Sequence, residues 1–502
     1  MISDPSQNRW RRYAPLVVYL VVMLAILLIP LKIIAYGFLP ADDALRHAAQ
    51  GVSGKDWSQV LVLGSPIKVD FQFGWDLFQR LLFRWLNCDA ETLVEISMVS
   101  LFVLFNTAAM LCLKRPEAWL GALFLDAVTG NFPDRFVLGR PLMVTMTALV
   151  AILLLWERRR LDPPRARDVL GIALIVGAAC FIHGTWYLWV LLVAAFFLAR
   201  QFRWGMALAL GWGAGAVLAG VATGHPLNYL TEAALVAVRC VSRYATQDML
   251  VGELQPHMNF NALLVLGLLW LTRQAVKISW RPWTAHPAFW LAGMGWILGC
   301  RTGRFWFDWG LPALLVLFAL DLQSLLEYAA PLDAWKRAGC AGALAMAAYA
   351  AITSDTESRW TYSLHNQYLT QDNPSLRGWL PEKGGIFYST DMQFFNQTYM
   401  KNPRADWKYV LGFEPTLMPA EDFVIFHRII WNYGDDTFYD GWVRKMRPED
   451  RLEMTREGGP PGIPQLEWLH AVKGYWIGRL PRAEAGTNAT PKAAANGRRI
   501  EP

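Results

Sequence analysis

A hydrophobic run from Ala14 to Phe38 is long enough to cross a bilayer as one helix. That run constrains the rest of the chain, because backbone polar groups at membrane depth must be paired within their own segment or inside protein. Arg9, Arg11 and Arg12 precede it, and the positive-inside bias keeps the N-terminus in the cytoplasm. Asp42 and Asp43 therefore emerge at the far membrane surface, at the start of a loop of roughly fifty residues. Further apolar runs at 92–113, 118–130, 141–156, 169–183, 186–199, 205–223, 260–275, 287–300, 310–327 and 337–353 read as spans. That makes about eleven in all. Those shorter than the ~20 residues a straight span needs extend into their flanks or sit partly within protein.

Loop charges follow the same alternation. Lys114 and Arg115, Arg158 to Arg160 with Arg165 and Arg167, Arg200 and Arg203, Lys277 and Arg281, and Lys336 and Arg337 all fall on the cytoplasmic side. The C-terminus then lies outside. The chain is 54% hydrophobic with 25 Trp, too apolar and aromatic for a soluble enzyme. Its net charge of +6 comes from these short loops, and no nucleic-acid motif accompanies it, so nucleic acid is excluded as a partner. Six scattered cysteines show no metal-ligand spacing. Cys88, Cys240 and Cys300 occupy far-side positions and leave a disulfide open. No internal repeat is visible, which speaks against an inverted-repeat transporter.

The expected fold is an all-α polytopic membrane protein with a small C-terminal α/β domain on the exoplasmic face. Residues 1–353 form the membrane domain, with an exoplasmic first loop at 39–91. In that loop Leu77, Phe78, Leu81, Leu82 and Trp85 make an apolar stripe, with Arg80 and Arg84 between, as in a helix lying on the membrane surface. The alternative is an ordinary helix packed on the bundle. In 354–480, the segments 385–388, 407–411 and 423–426 read as short buried strands. The composition of 481–502 predicts disorder.

Three groups of residues carry candidate chemistry, all on the far side. Asp42 and Asp43 open a segment that reads as helical; either suits an N-cap, and either suits a base at a lipid–water boundary. Asp134, Arg135 and Arg140 lie in one short loop, preceded by Asp126 inside a span, where a carboxylate must face protein or a wet cavity. Asp126 suits an internal ion pair with an arginine, a metal, or an acceptor hydroxyl. Arg301 and Arg304 precede Asp308 at a span end, and their guanidinium forks suit either a phosphate or lipid headgroups. His183 ends another span, where a lone His reads first as a hydrogen-bonded structural residue.

This layout resembles the GT-C-type membrane glycosyltransferases that use polyprenyl-phosphate sugars, relatives of protein mannosyltransferases and aminoarabinose transferases. In that family an Asp-Glu-x-x-Tyr-Ala pattern follows the first span. Here Asp43-Ala44-Leu45-Arg46-His47-Ala48 occupies the register, with Ala44 at the Glu position and His47 at the Tyr position. Aligning Asp42 instead puts Asp43 at the Glu position and slips the rest by one. Residues 51–57 and 74–82 resemble the family's next helices. The resemblance covers roughly the first 140 residues by pattern and the remainder by topology alone.

It implies inverting sugar transfer from a polyprenyl-phosphate donor to a hydroxyl of a glycan, lipid or protein at the outer face of a bacterial inner membrane. Asp43, with Asp42 beside it, would act as base. Arg301 and Arg304, with Arg140 and His183, would bind the donor phosphate. Asp126 or Asp134 would orient the acceptor or hold a divalent cation. Rival readings are a polysaccharide ligase or polymerase relying on Arg and His, a lipid flippase or transporter, and a non-catalytic scaffold.

Overall fold

The computed structural model describes residues 5–130, 134–243, 255–276, 281–328 and 334–482. The first loop runs through α2 (Asp43–Ser53), α3 (Trp57–Val60) and α4 (Phe73–Leu86) after the long α1 (Pro5–Ala35). The bundle continues with α5 (Ala90–Cys112), α6 (Glu117–Val128), α7 (Leu142–Arg159), α8 (Ala166–Ile182), α9 (Val190–Leu198) and α10 (Phe202–Ala222). It is completed by α11 (Pro226–Arg243), α12 (Phe260–Ala275), α13 (Pro287–Gly299), α14 (Gly303–Phe305), α15 (Leu311–Tyr328) and α16 (Ala334–Thr353).

Each of the apolar runs falls on helix. Four stretches are long and apolar enough to cross a membrane: Tyr13–Ala35, Ala90–Cys112, Phe202–Ala222 and Gly303–Tyr328. Trp186–Leu198, Phe260–Ala275 and Pro287–Gly299 are apolar but shorter than a straight span. The chain thus has the character of a membrane protein. α1 packs between α5 and α16, and α8 lies along α10. The last contact depends on Gly177 and Gly215, because a Cβ on Gly215 would collide with the backbone of α8.

The C-terminal segment forms a five-stranded sheet of β1 (Ile386–Tyr388), β2 (Lys408–Tyr409), β3 (Arg451–Thr455), β4 (Glu467–Val472) and β5 (Tyr475–Arg479), in the order β2-β1-β3-β5-β4. β1 lies parallel to both neighbours, with Phe387 opposite Tyr409 and Arg451, and β3, β5 and β4 pair antiparallel. α17 (Met392–Lys401) follows β1, and α18 (Ala420–Trp431) follows β2. The expected strand at 423–426 is instead part of α18. Phe426 and Ile429, one turn apart, are buried while Val424 is exposed, which is a helical rather than an alternating pattern.

The first loop and the C-terminal segment share one surface. Tyr399 of α17 donates from its hydroxyl to Gln50 of α2 at 2.7 Å, and the Val62 amide donates to the Tyr409 carbonyl at 2.9 Å. Lys408 reaches the Ser58 carbonyl at 2.7 Å, and Phe38 meets Trp360 edge to face. The two regions therefore lie at the same end of the bundle. Cys88 and Cys300 are free thiols, whereas the side chain of Cys240 lies outside the described residues, as does nearly all of 481–502.

Candidate functional site

The site begins where α2 begins. Asp42 is in extended conformation, and its carboxylate accepts a hydrogen bond from the Asp43 amide at 2.5 Å, the N-cap arrangement. Asp43 opens the helix, which brings Arg46 and His47 onto its face one turn later. Arg46 Nε donates to Asp43 Oδ1 at 2.9 Å, and its NH2 donates to Gln72 Oε1 at 3.0 Å. Arg140, delivered by the turn before α7, donates through NH2 to Asp42 Oδ1 at 2.6 Å and to Asp43 Oδ2 at 3.2 Å. The two aspartates thus hold different places: Asp42 caps, and Asp43 binds two guanidinium groups.

Burial pushes the Asp43 carboxyl up, but Arg46 and Arg140 outweigh it and hold the group far below the usual carboxylate range. A carboxylate so stabilised is a weak base until one arginine leaves it. His47 is fully buried, and burial together with the Arg46 charge pushes its pKa well down, so the ring is neutral. Its Nδ1 lies 2.5 Å from Asp76 Oδ1 on α4, and with Asp76 ionised the ring proton sits on Nδ1. Nε2 then carries a lone pair that meets no hydrogen-bond donor among the described residues. Asp76 is raised to about 6, first by burial, and Asp70, raised to about 7, by burial and by the Asp76 charge.

A second group lies beside the first. His183 ends α8, and its Nδ1 lies 3.2 Å from Thr145 Oγ1 on α7 and 3.1 Å from Thr185 Oγ1. Its Nε2 is 3.5 Å from Arg304 NH2. Arg304 Nε pairs with Asp308 Oδ2 at 3.1 Å, and Arg135 NH2 lies 3.0 Å from Asp308 Oδ1. Asp308 sits in a π-helical turn, Trp306–Gly310, between α14 and α15, a local irregularity that often marks a functional position. The charges of Arg140, Asp43 and Arg304 all act on His183, so the two groups form one electrostatic neighbourhood.

The remaining candidates lie elsewhere. Arg301 is exposed on the surface, apart from the Arg304–His183 contact. Asp126 is fully buried in α6, neither of its oxygens meets a hydrogen-bond donor, and Arg359 is the one charge acting on it among the described residues. Arg359 also pairs with Asp134 at 2.7 Å. No three His, Cys, Asp or Glu side chains converge among the described residues.

The residues that sequence reasoning left out are Gln72, Asp70 and Asp76, and the pairing of Arg135 with Asp308. Asp76 lies between Trp75 and Leu77 on a helix whose opposite face is apolar, and that polar position on the inner face is the signal it offered. The outer face leaves Leu77, Phe78, Leu81 and Trp85 open, with Trp85 84% exposed. Among known proteins, no family model and no curated protein matches the chain.

Proposed function

We propose that the protein is a membrane glycosyltransferase that moves a sugar from a polyprenyl-phosphate donor to an acceptor hydroxyl, at the bundle end shared by α2 and the C-terminal sheet. The observation that carries this reading is Arg140, a buried guanidinium divided between Asp42 and Asp43 and close to the Arg304–His183 pair. Such cations stabilise a phosphate leaving group in a site of low dielectric. The exposed apolar face of α4 suits a lipid-facing element beside them.

In this mechanism the donor phosphate competes with Asp43 for Arg140. As Arg140 turns to the phosphate, Asp43 Oδ2 loses a cation and gains basicity. Asp43 then takes the acceptor hydroxyl proton. The acceptor oxygen bonds to the anomeric carbon as the bond from that carbon to the phosphate oxygen breaks, with inversion. The phosphate leaves with its negative charge held by Arg140 and Arg304. The scheme predicts ordered binding, donor first. The eleven-span count, with an inner bacterial membrane, a cytoplasmic N-terminus and an exoplasmic site, belongs to the same proposal.

A second reading takes support from the grip on Asp43. A carboxylate held by two arginines fits a structural counter-ion, and the chemistry then falls to Arg and His, as in a polysaccharide ligase or polymerase. Purified protein in lipid bilayers, supplied with a panel of polyprenyl-phosphate sugars, separates the two. Asp43→Asn abolishes transfer in the first reading. Full activity in that variant rejects Asp43 as base.

A further inference from the structure

In the transfer scheme Asp43 keeps one cation when Arg140 turns to the donor phosphate, and that cation is Arg46. Its place depends on a region the scheme leaves out. The Arg46 guanidinium is buried, gives Nε to Asp43 Oδ1 at 2.9 Å and gives NH2 to Gln72 Oε1 at 3.0 Å. Its carbon lies 4.4 Å from the centre of the Phe413 ring, with the Trp57 ring of α3 at 5.9 Å. A guanidinium is planar and donates in its own plane. A ring over its face therefore takes none of its donors and fixes the plane in which they point. Gln72 and Phe413 together set the direction from which Arg46 approaches Asp43.

Phe413 is delivered by the segment that follows β2, where the first loop joins the edge of the C-terminal sheet. Leu61 bridges Tyr409 in parallel, the Val62 amide donates to the Tyr409 carbonyl at 2.9 Å, and the Gly64 amide donates to the Leu417 carbonyl at 2.8 Å. The backbone on both sides of Phe413 is thus tied to residues 61–64. Trp57 meets the Phe413 ring edge to face at 4.8 Å and packs on Tyr399 of α17, whose hydroxyl reaches Gln50 of α2. The ring has a fixed backbone, an aromatic neighbour and a buried cation over its face.

We infer that Phe413 is a positioning residue for the site: through its ring the C-terminal segment holds Arg46 on Asp43, so that Asp43 Oδ2 faces the acceptor hydroxyl once Arg140 has left it. Its effect passes through Arg46, and no bond is made or broken at the ring. The C-terminal segment is then a working part of the site rather than an appended domain. Phe413→Leu keeps an apolar side chain beside Trp57 but offers the guanidinium no π face, whereas Phe413→Tyr keeps the face.

The inference rests on the transfer reading, so its test has one arm that needs no transfer. Apparent melting temperatures of the purified full chain in lipid bilayers are read for Arg46→Met, Phe413→Leu and the double variant. The double variant loses less than the sum of the two single losses. Additive losses overturn the hold of Phe413 on Arg46. The second arm follows transfer from a polyprenyl-phosphate sugar in the same bilayers. Phe413→Leu lowers kcat about tenfold, and KM for the donor stays within about twofold because its phosphate goes to Arg140 and Arg304. Phe413→Tyr returns kcat to within about threefold of wild type. Full kcat in Phe413→Leu overturns the positioning role, whatever happens to KM. Equal loss in Phe413→Leu and Phe413→Tyr overturns it too, because that is packing alone. No transfer in wild type, with non-additive melting, strikes the functional reading and leaves the hold of Phe413 on Arg46 standing.

Discussion

The two ends of the helical bundle use arginine differently. At one end Glu117 is fully buried between Arg115, 2.6 Å away, and Arg337, 3.0 Å away. Asp321 there takes the Arg273 guanidinium and the Trp283 indole together, and Arg281 pairs with Glu157 at 2.9 Å. These acids are enclosed by donors and lock the helix ends. At the other end Arg140 is shared by two aspartates, Asp308 is shared by Arg135 and Arg304, and the buried His47 ring meets Asp76. Like charges held together cost stability, and such arrangements cluster at functional sites. The contrast separates the end that carries the proposed site from the end that holds the bundle.

The strongest way to break that contrast is Arg140→Ala. It should lower transfer about 100-fold or more, with little change in melting temperature. Activity near wild type, coupled to a loss of stability, would make Arg140 a lock like Arg337. Glu117→Gln should do the opposite. It leaves two arginines facing a neutral group and should cost about 2–3 kcal/mol in a denaturant titration, tempered because Arg337 is partly in solvent, with transfer per folded molecule unchanged.

Glu453 sharpens the comparison from a third place, since it is a buried acid outside both ends. Burial, then the Asp391 charge, raises it to about 8, and Ser389 and Thr455 hydrogen-bond to it at 2.6 and 2.8 Å. The folded chain therefore keeps a proton that the unfolded chain loses near its ordinary value, so stability falls as pH rises from about 4.5 to about 8. Melting curves across that window should flatten in Glu453→Gln, while the pH profile of transfer stays as in wild type. The smallest effect is expected from Trp85→Ala on the open face of α4. Apparent donor affinity should weaken about threefold with no change in turnover, because one interfacial side chain contributes little.

Much of the bundle was legible because apolar runs and basic loops obey bilayer physics. The run 260–275 coincides with α12, and 92–113 lies within two residues of α5. The strand reading of 423–426 failed because a four-residue apolar run fits either period; only the burial of Phe426 and Ile429 decides it. β3 and β4 escaped because Arg451, Glu453, Glu467 and His470 interrupt them, and Arg451 and Glu453 are buried by partners that sequence does not display. Within the site, Asp43 and Arg140 each stood out locally, but their pairing spans 97 positions and needs the fold to bring it about. Asp126 stood out for the same reason as Asp43, a carboxylate in apolar surroundings, and the fold gives it Arg359 rather than the cluster. His47 attracted notice only as a departure from a pattern, while the acid that orients it lies 29 residues away.

The central claim is that the Arg140–Arg304 end binds a lipid-linked phosphate. Polyprenyl phosphate itself, the product common to any sugar donor, is the probe that does not require the sugar to be known. Binding of polyprenyl phosphate to purified protein in lipid bilayers should be saturable. It should weaken at least about tenfold when Arg140→Ala and Arg304→Ala are combined, and stay unchanged in Glu117→Gln. Equal affinity in wild type and the double variant would contradict the account.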